Sequence, residues 1–168
     1  MIVLGIDPGT AVTGYGVVRG NGAAHSLIEC GVIRTHARAP LGQRLKEIHD
    51  GVVEIIRRHK PDVVAVEDVF YAKNVRTTVV LGHARGVILL ASQQSDIRIE
   101  ELPPASIKKA IVGNGNATKE QVQFMLTRLL RLKNAPQPAD ASDGVAAALG
   151  CLMGAQISAM IARHPIAS

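Results

Sequence analysis

At 168 residues the chain falls within the roughly 100–200 residues of one domain and is long enough to bury a core without disulfides. No apolar run reaches the ~18 residues needed to cross a bilayer and no basic leader precedes the first apolar run, which argues against a membrane span or secretory signal and for the cytoplasm. Nineteen Lys and Arg against 14 Asp and Glu give a net charge of +5, which admits a polyanionic partner without requiring one.

Taken in order, Met1 to Ile6 is an apolar, β-branched run that predicts a strand, and Asp7-Pro8-Gly9-Thr10 predicts the turn that ends it. Val12–Arg19 and Ser26–Thr35 are strand-like on either side of Gly20-Asn21-Gly22, a hairpin signal. Leu41, Leu45, Ile48, Val52, Ile55 and Ile56 recur at helical spacing, and Arg57-Arg58-His59-Lys60 before Pro61 suits a helix C-terminus. Asp62–Glu67 is a short strand of the kind buried on both faces, followed by a helix over Asn74–Gln94 and a strand over Ile97–Leu102. That order implies a parallel pair with a right-handed crossover. A short helix over Ile107–Val112 precedes the loop Gly113–Asn116. Thr118 and Gln121 then have capping-box spacing, so a helix runs from there to about Arg131. After the break Asn134–Pro138, a final Ala-rich helix spans Asp140–Ala162. The pattern is a single α/β domain, a mixed five-stranded sheet flanked by helices in the order of ribonuclease H-like domains. Cys30 and Cys151 have neither metal-ligand nor disulfide-framework spacing and read as buried small hydrophobes of a reducing compartment.

Four acids stand out. Asp7 ends the first strand and Glu67 the fourth, and if those strands are neighbours the carboxylates lie about 5 Å apart. Asp140 and Asp143, three apart at the start of the last helix, project from one face. Each has a plainer reading: Asp7 as the start of a turn, Asp140 as an N-cap, Asp143 as a favourable first-turn charge. The joint pattern of two strand-end acids and a helix-start pair is harder to explain as four separate caps. Asp68 should face the other side of the sheet. Hard oxygen donors without His or Cys spacing suit Mg²⁺ or Mn²⁺, and such a site could hold two ions about 4 Å apart for phosphodiester hydrolysis.

Two of the chain's four aromatic residues, Phe70 and Tyr71, closely follow Glu67 and precede Lys73, Asn74 and Arg76. Exposed aromatics among basic side chains would stack on unpaired bases, although Phe70 could equally pack under its loop as core. Lys119 falls at the first position of its helix, where its charge opposes the dipole unless a phosphate lies nearby, and Lys108 and Lys109 could flank the same groove. Gly82 and Gly86, four apart on the long helix, leave a shallow face that invites close packing, covered either by this domain's own sheet or by the same helix of a second subunit in a two-fold dimer.

These residues resemble the RuvC Holliday junction resolvases of bacteria over nearly the whole chain. The likeness rests on Gly5-Ile-Asp-Pro-Gly-Thr10 with Gly14-Tyr-Gly16, on Glu67-Asp-Val-Phe-Tyr-Ala-Lys-Asn74, and on Leu81-Gly-His-Ala-Arg-Gly86. It extends to Val112-Gly-Asn-Gly-Asn-Ala-Thr-Lys119 with Gln121-Val-Gln123, and to Pro138-Ala-Asp-Ala-Ser-Asp143. The resemblance implies a ribonuclease H-like fold, a homodimer, and Mg²⁺-dependent cutting of two symmetric strands of a four-way DNA junction. It also implies RuvA and RuvB as partners in recombination and repair. By position, Asp7, Glu67, Asp140 and Asp143 match the family's metal-binding carboxylates, Phe70 its junction-opening aromatic, and Lys108 and Lys119 its backbone-contacting lysines. Some members carry His where this chain has Asp140, and members usually carry Gln where it has Asp68. Asp7-Pro-Gly-Thr10 also resembles the first phosphate loop of actin-like ATPases, but 168 residues leave no room for their second lobe. A non-catalytic DNA-binding module is the other rival, and there four acids would only repel phosphates.

Overall fold

In the computed structural model, which describes residues 1–21, 24–68 and 75–163, the apolar strand β1 (Ile2–Asp7) lies in the middle of a five-stranded sheet. β2 (Val12–Asn21) and β3 (Ala24–Arg34) extend the sheet on one side, both antiparallel. β4 (Val63–Glu67) and β5 (Arg98–Leu102) extend it on the other, both parallel, giving the order β3-β2-β1-β4-β5. Residues 22 and 23, which include Gly22 of the expected hairpin signal, lie outside the described residues.

Period-two alternation divides the core between the two faces. Leu4, Ile6, Val64 and Val66 meet α1 (Leu41–His59) and α2 (Val75–Gln94), which bury Ile48, Val52, Ile55, Ala84 and Ile88 against them. Val3, Val63 and Ala65 meet α3 (Pro104–Val112), α4 (Lys119–Leu129) and α5 (Ala139–Arg163). α5 is buried through Ala141, Val145, Ala148, Leu149 and Leu152, which explains its Ala-rich composition: a helix laid across a sheet must be slim to come close.

The capping box forms at α4. The Thr118 hydroxyl accepts from the Gln121 N–H at 3.3 Å, and Gln121 Oε1 accepts from the Thr118 N–H at 2.9 Å. α3 starts at Pro104, earlier than its apolar spacing suggested, because proline's fixed φ fits the first helical position. The basic run closing α1 does more than cap. Lys60 takes a left-handed φ of 45° and returns its N–H to the Ile56 carbonyl. Arg58, however, makes a two-pronged contact to Glu29 of β3 at 2.8 and 2.9 Å, and His59 Nε2 lies 2.8 Å from the same carboxylate. Cys151 is buried, whereas Cys30 is only half-buried because β3 is an edge strand.

Candidate active site

Ile6 pairs with Val66 across the β1–β4 ladder, so Asp7 and Glu67, one residue further on, close two adjacent strands about 4.8 Å apart. Alternation carries both to the face covered by α5, in step with Val3 and Gly5 on one strand and Val63 and Ala65 on the other. Asp68 falls on the opposite face, where its Oδ1 lies 3.1 Å from Arg85 Nη2 of α2, an arginine that also pairs with Glu101. The extra acid beside Glu67 is thus drawn away from its neighbour.

Bare backbone brings the second pair of acids in. Gly14 pairs with Asp7 in the ladder, and a Cβ there would stand 1.8 Å from the Asp140 carbonyl oxygen. A Cβ on Gly5 would stand 2.2 Å from the Gly144 carbonyl oxygen. Only glycine at these points lets the first turns of α5 rest directly on β1 and β2, and that contact sets the acids of α5 beside Asp7. The sequence displayed these glycines as motif letters, but their role as the seat of α5 was not read from it. The available signal was their coincidence with strand positions, where glycine marks a close backbone approach.

Asp7, Glu67 and Asp143 line one cleft of about 320 Å³ with Lys108, Lys119 and Ile107. Lys119 Nζ donates to Asp143 Oδ2 at 2.7 Å. Asp140 is half-buried and does not line the cleft, but its charge acts on Asp7. Burial, followed by repulsion from Asp143 and Asp140, pushes the Asp7 carboxyl up to about 7 against an opposing pull from Lys119. Burial, followed by repulsion from Asp7 and Asp143, pushes Glu67 up to about 7 as well, with Lys119 and Lys108 opposing. The Lys119 ammonium is held above its usual range, chiefly by its hydrogen bond to Asp143.

Among the described residues, no three acidic, histidine or cysteine side chains are drawn together tightly enough to form a ready cage for a metal. The cleft nevertheless fits a hard divalent cation. Its acidic donors are carboxylates with no thiol or imidazole among them, and two of them resist ionising in the absence of positive charge. Asp7, Glu67 and Asp143, with Asp140 at the margin, are the residues that would hold it.

The other expected contacts separate. Arg76 stands in the first turn of α2 and lines a second cleft with Thr10 and Leu81. Lys109 is exposed at the end of α3 and does not line the acidic cleft. Phe70, Tyr71, Lys73 and Asn74 lie outside the described residues. Gly82 and Gly86 face open space on α2, the helix on which Val75 and Val79 are 79% and 54% exposed.

Comparison with known proteins identifies what the chain is similar to. A family model described as crossover junction endodeoxyribonuclease RuvC matches residues 3–151. A protein of that description from Desulforamulus reducens is 46% identical over 149 residues, 89% of this chain and 91% of that one. Its counterpart from Pelotomaculum thermopropionicum is 45% identical over the same shares. Among solved structures, Thermus thermophilus RuvC superposes with a TM-score of 0.87 at 35% identity, covering 94% of this chain and 97% of that chain. The same protein in complex with a Holliday junction substrate gives 0.86 at 32% identity, covering 94% and 96%. The yeast mitochondrial resolvase Ydc2, at 15% identity and a TM-score of 0.66, shares the fold.

Proposed function

This chain belongs to the RuvC family of crossover junction endodeoxyribonucleases, and from that premise we propose that it resolves four-way DNA junctions in recombination and repair by hydrolysing phosphodiesters at the Asp7–Glu67–Asp143 cleft. One observation carries the choice of cleft. Two neighbouring carboxylates are held where they ionise reluctantly, and the same cleft presents two lysines able to meet phosphate.

Each residue's part follows from its place. Asp7 and Glu67, fixed by strand ends, form the rigid side of a divalent-ion site, and Asp143 and Asp140 supply the side carried by α5. Mg²⁺ is the proposed ion, with Mn²⁺ able to substitute and two ions per subunit. A bound divalent ion would supply Lewis-acid charge at the phosphate and ease ionisation of the attacking water. Lys119, at a helix N-terminus, exchanges its hold on Asp143 for a non-bridging phosphate oxygen, and Lys108 meets the strand from α3. The water oxygen attacks phosphorus in line with the 3′ oxygen, so that a new P–O bond forms as the P–O3′ bond breaks. The water's proton passes toward the acids and the departing 3′ oxygen takes up a proton, leaving 5′-phosphate and 3′-hydroxyl ends.

The whole chain acts as one nuclease domain in this reading. Cuts are paired because the enzyme works as a homodimer across the exposed face of α2 around Gly82 and Gly86, its two-fold axis matching that of the junction. Phe70 opens the crossover, Tyr71 stacks on an unpaired base, and Lys73, Asn74 and Arg76 hold the DNA backbone beside them. On the family resemblance alone, RuvA and RuvB are its branch-migration partners, and the cytoplasm is where it meets DNA. Among the described residues no helix is long and apolar enough to cross a membrane.

A labelled four-way junction incubated with the protein tests the reading. Paired nicks should form with Mg²⁺ and disappear with chelator. Cleavage that persists in chelator, or nicking of linear duplex with equal efficiency, would contradict it.

A further inference from the structure

Phe124 is 58% exposed on α4, away from the acidic cleft. One helical turn on, the Arg128 guanidinium lies 5.3 Å from the centroid of its ring. Around the C-terminal end of the same helix, Arg131, Leu132 and Lys133 join them in lining a shallow cleft of about 530 Å³. Arg128, Arg131 and Lys133 are exposed, and among the described residues none of them forms an ion pair. This distinguishes them from Arg57, Arg58, Arg85 and Arg98, each of which faces a carboxylate. The only acid on α4, Glu120, sits at the helix's other end.

The backbone fixes the cluster. The Leu132 N–H returns to the Thr127 carbonyl at 2.9 Å and the Arg131 N–H to the Arg128 carbonyl at 3.3 Å, the paired bonds of a Schellman closure. Arg131 occupies the left-handed position of that closure with φ 54°, where glycine is the usual residue. The chain therefore turns back beside Arg128 and carries Arg131 and Lys133 with it. At ~1.5 Å and about 100° per residue, Phe124 and Arg128 stand about 8 and 14 Å along the helix from Lys119 and about 140° and 180° around it, on the face turned away from the acidic cleft.

We propose that Arg128, Arg131 and Lys133, braced by Phe124, form an accessory surface, outside the acidic cleft, that grips the phosphate backbone of a duplex arm of the junction. This rests on the nuclease reading of that cleft. Charge selects the occupant: three neighbouring cations without carboxylate partners among the described residues suit a polyanion. The Arg128 guanidinium lies over the ring. The ring's part is to hold Arg128 upright so that the guanidinium edges stay free to donate. The contact is to the backbone and carries no sequence preference.

The test combines Arg128→Ala, Arg131→Ala and Lys133→Ala in the full chain. Binding to a four-way junction and to linear duplex is measured in chelator across a salt series, beside cleavage with Mg²⁺ at saturating protein. Losing three phosphate contacts should lower the slope of log affinity against log salt by about 2–3 and weaken binding about tenfold or more at moderate salt, with saturated cleavage unchanged. Phe124→Ala should give a smaller loss, and Arg128→Lys, which keeps the charge, should restore most of the binding. Unchanged melting behaviour excludes misfolding, and an unfolded triple variant is replaced by the single substitutions, which carry the same expectation at about one slope unit each. A wild-type slope and affinity in the variants would overturn the proposal and leave the patch to some other acidic surface. Absence of junction cleavage by the unmodified protein would instead overturn the nuclease reading.

Discussion

Lys119 Nζ lies 2.7 Å from Asp143 Oδ2, so the first residue of α4 and an acid of α5 are joined across the acidic cleft. The lysine opposes its own helix dipole there, and the acid offsets that opposition. Lys119 is 65% exposed, so the pair adds at most about 1 kcal/mol to stability. Lys119→Met should therefore lower junction cleavage about tenfold or more while shifting the melting temperature by no more than about 2–4 °C. Cleavage kept within twofold would remove Lys119 from the phosphate contacts.

Asp7→Asn should abolish cleavage and leave junction binding in chelator intact or slightly tighter, since one negative charge facing the DNA is gone. A gel-shift titration beside the cleavage assay checks both halves. A variant that cut at near-normal rate would refute the metal-ligand role.

The same two carboxyls make stability depend on pH in an unusual direction. From ordinary values of 3.8 and 4.5, Asp7 and Glu67 are both raised to about 7. Between those limits the folded protein binds more protons than the unfolded chain, so this pair's contribution to stability falls as pH rises. In chelator, melting temperature should drop from about pH 5 to pH 8, and Asp7→Asn should flatten the drop. Mg²⁺ should restore stability at pH 8 far more than at pH 5. A pH-independent melt, unaltered by Mg²⁺, would contradict this electrostatic account.

Gly14 carries no chemistry, yet a Cβ there would lie 1.8 Å from the Asp140 carbonyl oxygen. Gly14→Ala must push the start of α5 off the sheet, costing about 1–3 kcal/mol, or roughly 2–12 °C in melting temperature. It should also depress cleavage by displacing Asp140 and Asp143. Thermal denaturation and the junction assay measure the two effects, and a neutral result in both would mean that α5 is seated some other way.

Glu29 ties β3 to α1 through Arg58 and His59 and also accepts from the Tyr15 hydroxyl at 2.7 Å. Arg58, then Tyr15 and His59, hold its carboxyl down at about 2. Its contribution to stability is therefore full above about pH 4.5 and lost as pH falls through about 2. Glu29→Gln should destabilise the protein by about 1 kcal/mol at neutral pH, with solvent screening limiting the loss, and should leave cleavage unchanged. An acid-melt profile identical to that of the parent would count against the network.

Much of this protein is written locally. Strand and helix positions follow from β-branched runs, helical spacing, a Thr118/Gln121 capping box and proline breaks, because each depends on residues within a few positions of one another. The side chosen by Glu67 over Asp68 was legible for the same reason, since a strand alternates whatever surrounds it. What the linear chain could not express is distance between elements. Asp7 and Glu67 stand together only because β1 and β4 are hydrogen-bonded neighbours, and Asp143 joins them only because Gly5 and Gly14 let α5 lie on bare backbone. Arg85 claiming Asp68, Glu29 claiming Arg58 and Phe124 bracing Arg128 are likewise contacts of packing or helix geometry. Sequence pattern settled the pieces because propensity acts over a few residues; tertiary structure decided which charges share a cleft, because burial and Coulomb forces act through space.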